Sequence, residues 1–118
     1  MTWPNIRFDY GGAAVLVTGG TSGIGAGIAA AYRDAGAEVT VTGMRESPAD
    51  YDEDLAGYAY RRLDLEDYAT IDALAASLPR LDVLVNNAGL VFHNLSLDEY
   101  EPEIFYRALR IHLSGCFR

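Results

Sequence analysis

Lysine is absent from this chain of 118 residues, and all nine of its basic side chains are arginine. Any mechanism that needs a lysine within this span is therefore excluded. Basic charge is also scarce beside the 17 acidic residues, and the formal net charge is -8. A chain with this charge and no basic stretch lacks the surface on which binding to a phosphate backbone depends. We therefore expect neither nucleic acid nor an anionic membrane as a partner.

Cysteine and long apolar runs are scarce as well. Cys116 is the only cysteine, so an internal disulfide is impossible and a reducing compartment suits the chain. No apolar run approaches the roughly 20 residues that cross a bilayer, and residues 1–4 lack the basic and then apolar layout of a secretion signal. These absences predict a cytoplasmic protein.

What the chain does contain is a regular alternation of apolar strands and amphipathic helices. The predicted strands cover residues 13–18, 38–42, 58–63 and 81–85, and the predicted helices cover residues 24–35 and 67–78. A third helix is predicted to begin near Pro102 and to be amphipathic or nearly buried, and the polar residues 47–50 are predicted to form a loop. The first helix should face the core with its apolar side chains, which are Ile24, Ile28, Ala31, Tyr32 and Ala35.

This alternation predicts the α/β class. Strands and helices of these lengths imply right-handed crossovers and a parallel sheet. We expect a Rossmann-like, doubly wound parallel sheet of four strands in the order 3-2-1-4, with helices on both faces. No repeat or linker divides the chain, so residues 1–118 should form a single domain. Because a complete sheet of this kind has about six strands, we expect the domain to be truncated and incomplete at its C-terminal end.

A glycine-rich segment, which we call the glycine turn (residues 19–25), joins the first strand to the first helix. Gly19 permits a sharp turn, Gly23 lets the backbone approach a pyrophosphate, and Gly25 allows the helix to pack closely on the sheet. The helix N-terminus then presents unpaired N–H groups to the phosphates. A tight turn without any ligand is the alternative interpretation. The candidate cofactor-binding residues here are Gly19, Gly20, Thr21, Ser22, Gly23, Ile24 and Gly25.

A second motif, Asn86-Asn87-Ala88-Gly89, follows the fourth strand, and Asp64-Leu65 follows the third. Together with the glycine turn, these residues resemble the short-chain dehydrogenase/reductase family, whose cofactor-binding half carries TGxxxGxG after the first strand and NNAG after the fourth. The resemblance implies that Asp64 contacts adenine and that Leu65, Asn86, Ala88 and Gly89 also belong to the cofactor site. The asparagines are equally consistent with turn formers that tie neighbouring strands together, and Asp64 with a helix cap.

The resemblance also implies the chemistry of a whole enzyme. Members of the family transfer a hydride between NAD(P)(H) and a small-molecule carbonyl or secondary alcohol, using a tyrosine, a lysine and a serine from the second half of the fold. Those three cannot be placed here, so this span would supply the cofactor-binding half only and be inactive alone. His112 stands where the family has an asparagine of a proton relay; it either holds a water there or is simply a satisfied helix residue. The last helix either forms a homo-oligomer contact, as the corresponding helix often does in the family, or packs its apolar residues against this domain's own sheet.

The preferred dinucleotide is left open, with a lean to NADP over NAD. A site that prefers NAD usually has an Asp or Glu at the end of the second strand, roughly 20 residues past the glycines, to bind the ribose hydroxyls. Gly43 occupies that position, and Arg45 follows closely. An arginine accommodates the 2′-phosphate of NADP, although Glu46 beside Arg45 weakens the preference. The alternative for Arg45 is a solvated loop charge.

Two other classes of function compete with a dehydrogenase. A non-catalytic nucleotide-sensing or scaffold module is favoured by the missing lysine and by His112. An S-adenosylmethionine-dependent transferase shares glycine turns but leaves the Asn-Asn-Ala-Gly motif unexplained. A metal site is not expected, because His112 and Cys116 have the spacing of a ligand pair but no third ligand is evident.

Overall fold

The structure, a computed structural model, describes residues 6–91 and 101–118. Within these residues, four parallel strands form one sheet in the order β3-β2-β1-β4. The strands are β1 (Ala14–Val17), β2 (Glu38–Gly43), β3 (Ala59–Arg62) and β4 (Val83–Val85). The predicted α/β class and strand order are thus confirmed.

Helices follow β1, β3 and β4 in the chain. They are α1 (Gly23–Asp34), α2 (Tyr68–Ser77) and α3 (Pro102–Leu109). The last of them continues through a π-helical turn, Arg110–Ser114, into the α-helical turn Gly115–Phe117, and we call residues 102–117 the last helix. In the described part of the chain, no helix combines the length and the apolar character that a bilayer crossing requires.

The core lies on both faces of the sheet because successive side chains of β1 point to opposite sides. Val15 and Val17 pack on one face in a cluster with Ala29 of α1. Leu16 packs on the other face in a cluster with residues of α2, Ile71 among them. Helices on both faces, as predicted, therefore follow from the alternation within a single buried strand.

The N-terminus of α2 shows which carboxylate caps it. Asp67 is the cap residue, and its side chain accepts a hydrogen bond from the Ala69 backbone N–H at 3.1 Å. Asp64 instead accepts a hydrogen bond from the Glu66 backbone N–H at 2.9 Å and takes no part in the cap. The alternative that Asp64 caps a helix is therefore wrong.

The predicted loop at residues 47–50 is wrong in detail, because Pro48–Asp50 form a single 3-10 turn. The Ser47 hydroxyl accepts a hydrogen bond from the Ala49 N–H at 3.2 Å, and the Asp50 carboxylate accepts one from the Ser47 N–H at 3.1 Å. This reciprocal pairing is a capping box, which satisfies backbone donors that a loop would leave to water. The turn directs the following chain back toward the end of β2.

The apolar face predicted for the first helix is also partly wrong. Ile24 is 79% exposed, and Ala31 is exposed as well. The buried residues of α1 are Gly25 and Ala29, whose small size lets the helix approach the sheet closely. The face of α1 that packs on the core is centred on Gly25 and Ala29, and Ala31 lies outside it. Ile24 lies at the carboxyl end of the sheet.

The last helix is amphipathic rather than nearly buried, the first of the two predicted alternatives. None of the residues of α3 is buried, and in the π-helical turn only Ile111 is, at 4% exposure. The large exposed side chains of this helix are Phe105, Tyr106, Leu109, Leu113 and Phe117. The homo-oligomer contact through this helix stays a prediction.

Candidate functional site

A cavity of about 620 Å³ opens at the carboxyl end of the sheet. Val17 of β1 pairs in register with Val41 of β2 and with Val85 of β4, so the segments that follow these strands start at the same level. α1, which follows β1, packs on the face of Val15 and Val17, and the last helix, which follows β4, lies near Leu16 on the other face. Ligands settle at such a switch point in open α/β sheets. The cavity occupies this point.

Most of the residues predicted from sequence to form a cofactor site line this cavity. Those that do are Gly19, Thr21, Ser22, Ile24, Gly25, Arg45, Asp64, Leu65, Ala88 and Gly89. Three other predicted residues, Gly20, Gly23 and Asn86, do not belong to its lining. The assignment of all these residues to a cofactor remains a prediction, and their geometry shows what each of them can do.

Two glycines bring the glycine turn against the segment that follows β4. Gly19 has φ of +66°, and a Cβ there would lie 2.9 Å from Cα of Ala88. A Cβ on Gly25 would lie inside 3.0 Å of both the Gly19 carbonyl oxygen and Nδ2 of Asn87, a separation that real Cβ atoms do not show. Only hydrogen fits at either position, so the two segments form one continuous floor.

Gly23 behaves differently, because it faces open space. Its φ is +57°, and a Cβ on it would meet no atom within 4 Å. Ser22, the N-cap of α1, makes no side-chain cap hydrogen bond, and the first turn of the helix contains no acidic residue. The N–H groups at this helix start are therefore left to an external acceptor, and the helix dipole favours an anion there.

Thr18, which follows β1, holds the Asn-Asn-Ala-Gly turn (residues 86–89) in place. Its side chain is buried, and its hydroxyl oxygen accepts hydrogen bonds from the N–H groups of Asn87 at 3.1 Å and Ala88 at 3.0 Å. In return, Nδ2 of Asn87 donates to the carbonyl oxygens of Thr18 at 3.0 Å and Gly19 at 3.1 Å. Asn87 thus ties β1 to the segment after β4, as the turn-former interpretation of the asparagines requires.

Asn86 lies away from the main cavity. It lines a second cavity of about 240 Å³, together with Leu16 and residues of α2. Adjacent residues in an extended segment point to opposite sides, so Asn86 and Asn87 face different cavities. Asn87, which the sequence-based site left out, is the asparagine that lines the main cavity.

One wall of the cavity is closed by an ion pair between distant segments. Arg107 of α3 donates to both carboxylate oxygens of Glu66, at 2.6 Å and 2.9 Å. This bidentate geometry is the strong form of an arginine–carboxylate contact. The hydrogen bond with Arg107 lowers the pKa of the Glu66 carboxyl below its usual value of 4.5.

A dependence of stability on pH follows from this pair. Because the pKa of Glu66 is lower in the folded chain than in the unfolded chain, the pair stabilises the fold above about pH 4.5 and loses this effect as the pH falls through the folded pKa. We expect Glu66→Gln to unfold at most about 3 °C below the parent at pH 7 and to show a flatter fall in melting temperature below pH 5. Thermal unfolding by circular dichroism between pH 3 and pH 8 measures this. Glu103→Gln, on the helix α3 that carries Arg107, is the control. A melting-temperature profile of Glu66→Gln that runs parallel to that of the parent would contradict the expectation.

The end of β2 carries no carboxylate and is flanked by an arginine that is held in place. The guanidinium of Arg45 lies over the ring of Tyr51, with its carbon 5.0 Å from the ring centroid, and donates to the carbonyl oxygen of Asp50. Arg45 is exposed, so these contacts orient a guanidinium that remains in contact with solvent. Glu46 pairs with Arg62 at 3.3 Å, so its carboxylate is engaged with a different cation.

His112 lies in the π-helical turn, where an extra residue per turn changes the direction of the side chains. Its Nε2 is 2.9 Å from the carbonyl oxygen of Leu90 and 3.4 Å from the Leu90 nitrogen. A Cβ on Gly89 would lie 2.7 Å from Cε1 of His112, so the ring packs directly against the end of the Asn-Asn-Ala-Gly turn. The shorter contact requires a hydrogen on Nε2, which then donates to Leu90. A role in a proton relay stays a prediction.

No metal centre stands out in the described segments, 6–91 and 101–118, where no group of three or more His, Cys, Asp or Glu side chains is placed to hold an ion. Sequence reasoning did miss several residues of the cavity wall, among them Tyr51, Glu66, Asn87 and Arg107. The Ser47-Pro48-Ala49-Asp50 segment is a local signal for the turn that brings Tyr51 back to the sheet. For the pairing of Glu66 with Arg107, 41 residues apart, no local signal exists.

A parallel sheet with a glycine turn and a cavity at its switch point is typical of dinucleotide-binding α/β domains. The sequence model described as short chain dehydrogenase matches residues 13–118. The chain therefore belongs to the short-chain dehydrogenase family, whose members bind nicotinamide dinucleotides. This membership replaces the alternative of an S-adenosylmethionine-dependent transferase.

Similar proteins include enzymes that act on sugars and sugar alcohols, by their names. A D-threitol dehydrogenase of Mycolicibacterium smegmatis is 34% identical, and the alignment covers 96% of this chain and 47% of that protein. An L-fucose dehydrogenase of Oryctolagus cuniculus is also 34% identical, with 92% of this chain and 40% of that protein covered. The chain thus spans less than half the length of these two relatives.

Solved structures agree with the family assignment. A short chain dehydrogenase/reductase family protein superposes with a TM-score of 0.79 at 32% identity, over 93% of this chain and 47% of that one. The structure titled Pseudomonas aeruginosa RhlG/NADP active-site complex superposes with a TM-score of 0.75 at 28% identity, over 94% of this chain and 46% of that one.

Proposed function

We propose that this chain forms the cofactor-binding part of an NAD(P)-dependent dehydrogenase/reductase acting on a small-molecule carbonyl or secondary alcohol. The observation that carries the proposal is the cavity at the switch point of the sheet, floored by the glycine turn and the Asn-Asn-Ala-Gly turn. When bound, a nicotinamide dinucleotide supplies or accepts the hydride. Family membership supports this activity, and the two relatives named above are dehydrogenases.

The residues of the cavity fit such a cofactor in its separate parts. The uncapped start of α1, where Ser22 and Ile24 line the cavity, suits the pyrophosphate, because the backbone N–H groups there are left to an external acceptor. Asp64 and Leu65, on the wall after β3, would hold the adenine. Ala88 and Gly89 would support the ribose and nicotinamide on the floor after β4, and His112 would keep that floor in place through Leu90.

We further propose NADP rather than NAD as the cofactor. No carboxylate stands at the end of β2, where it would repel a 2′-phosphate, and Arg45 lines the cavity beside that position. Glu46 does not counter the charge of Arg45, because it pairs with Arg62. The structural relative solved as an NADP complex is consistent with this choice.

Calorimetric titration of the chain with NADPH and with NADH tests both proposals. We expect both nucleotides to bind, and NADPH to bind more tightly. Arg45→Gln should raise the Kd for NADPH about tenfold, the effect of losing one charged contact to a phosphate, and leave the Kd for NADH nearly unchanged. Arg61→Gln, an exposed change on β3, is the control. Absence of binding by either nucleotide at millimolar concentration would contradict the proposed function.

A further inference from the structure

Tyr51 occupies the space at the end of β2 where a side chain on residue 43 would begin. A Cβ built on Gly43 would lie 2.8 Å from Cζ of Tyr51, still closer to its hydroxyl oxygen, and 3.1 Å from Cγ2 of Thr21. An Asp or Glu at position 43 therefore requires Tyr51 to leave its place. Tyr51, from the loop after β2, thus occupies the space that a carboxylate side chain at position 43 would need.

Hydrogen bonds fix the Tyr51 hydroxyl in this place. The hydroxyl of Tyr60 donates to the Arg45 carbonyl oxygen at 2.5 Å and lies 3.0 Å from the hydroxyl of Tyr51. Since the Tyr60 proton is used for Arg45, Tyr51 is the donor between the two phenols. The Tyr51 oxygen in turn accepts from the Arg45 backbone N–H at 3.1 Å. Both phenolic protons are thus used in the bonds among Tyr51, Tyr60 and Arg45, and Tyr51 has no proton left for a ligand.

Protonation keeps this network intact over the ordinary pH range. Burial, followed by the hydrogen bond with Tyr51, raises the pKa of the Tyr60 phenol above its usual value of 10.0. The Tyr60 phenol therefore remains a neutral donor at neutral pH.

The ring of Tyr51 supports the guanidinium of Arg45. The stacking distance of 5.0 Å is that of a cation–π contact, and the carbonyl oxygen of Asp50 takes one guanidinium hydrogen. A guanidinium carries five N–H donors, so the others remain for a phosphate. The ring and the carbonyl together fix the plane of the guanidinium at the cavity edge.

We propose that Tyr51 is the positioning residue that sets the selectivity of this site for NADP over NAD. Its ring presents Arg45 to the 2′-phosphate, and its hydroxyl excludes a carboxylate from position 43. This inference rests on the proposed function, since it concerns which dinucleotide the same cavity takes. Tyr51 acts through Arg45 and through exclusion, without a direct bond to the cofactor.

The first test compares Kd values for NADPH and NADH in Tyr51→Leu and in a matched control. Tyr58→Leu is that control, because Arg33 stacks on the Tyr58 ring at 5.1 Å away from the cavity. We expect Tyr51→Leu to raise the Kd for NADPH about tenfold and the Kd for NADH less than about twofold. Tyr58→Leu should leave the ratio of the two Kd values unchanged. Tyr51→Phe keeps the ring and should retain most of the preference, which separates loss of positioning from loss of folding.

The second test places a carboxylate at the end of β2. Gly43→Asp alone should displace Tyr51, lower the melting temperature and weaken binding of NADPH. Gly43→Asp combined with Tyr51→Ala should recover the melting temperature and bind NADH more tightly than NADPH, because the carboxylate then has room to reach the ribose hydroxyls.

The outcomes separate this inference from the function on which it rests. A parent chain that binds neither nucleotide contradicts the proposed function itself. A parent that binds both nucleotides equally, or a Tyr51→Leu variant that changes both Kd values by the same factor or changes neither, overturns the role of Tyr51 alone. If Gly43→Asp alone, with Tyr51 retained, makes the chain bind NADH more tightly than NADPH, the proposal that Tyr51 excludes a carboxylate from position 43 is overturned.

Discussion

Gly25→Ala is expected to destabilise the chain by about 3 kcal/mol and to abolish nucleotide binding, whereas Gly27→Ala, two residues further along the same helix, should leave both intact. The methyl group on residue 25 would overlap the Gly19 carbonyl oxygen and the Asn87 amide, and neither can move without breaking the contact between the two turns. A methyl group on residue 27 meets nothing within 4 Å. Because alanine favours helix over glycine, Gly27→Ala should even stabilise the chain by about 0.5–1 kcal/mol.

Urea unfolding gives the stability of both variants, and calorimetry with NADPH gives their binding. The pair is informative because the two substitutions are chemically identical and lie in the same helix, α1. Equal stabilities for the two variants would show that the close approach of α1 to the floor of the cavity does not require glycine at position 25.

Thr18→Val should be the second most damaging change, at about 2 kcal/mol, with Thr18→Ser close to the parent. The valine keeps the volume but removes the oxygen that accepts from the N–H groups of Asn87 and Ala88. The Asn87 N–H keeps a second acceptor in the Val85 carbonyl oxygen, whereas the half-buried Ala88 N–H loses its partner, at a cost of about 1–3 kcal/mol. Serine retains the acceptor. The Asn-Asn-Ala-Gly turn would shift, so the affinity for NADPH should fall with the stability.

Unfolding in urea and NADPH titration of both variants measure this expectation. Thr18→Ser separates the hydroxyl from the methyl group, because only the methyl is lost. A Thr18→Val chain as stable as the parent, or a Thr18→Ser chain as weak as Thr18→Val, would show that the hydroxyl does not hold the turn.

Local sequence predicted the fold well, because the information for a buried parallel strand is local. The apolar run around Val15 to Val17, the glycines after it and the helix that follows are neighbours in sequence and in space, so the first strand, turn and helix could be placed to within a few residues. The parallel sheet followed from the alternation of strands and helices, and the strand order from the doubly wound pattern to which that alternation was assigned.

The details of the candidate site depend on contacts that sequence does not encode locally. Which of Asn86 and Asn87 faces the main cavity depends on the pleat of the segment after β4, where a shift of one residue exchanges them. The exposed position of Ile24 depends on how far α1 extends past the sheet. The hydroxyl of Tyr51 reaches Gly43 only because a capped turn reverses the chain, and the position of that turn relative to β2 is a tertiary property.

The bonds from the Thr18 hydroxyl to the Asn-Asn-Ala-Gly turn also bear on the order in which the molecule matures. They join atoms 69 and 70 residues apart, so a nascent chain carries its whole glycine turn long before the other half of the cavity floor has been synthesised. Under the proposed function, a nucleotide would then recognise only a chain whose fourth strand has docked beside the first. Since a ligand stabilises the state that it binds, cofactor concentration in the cell would select for completed assembly of this sheet.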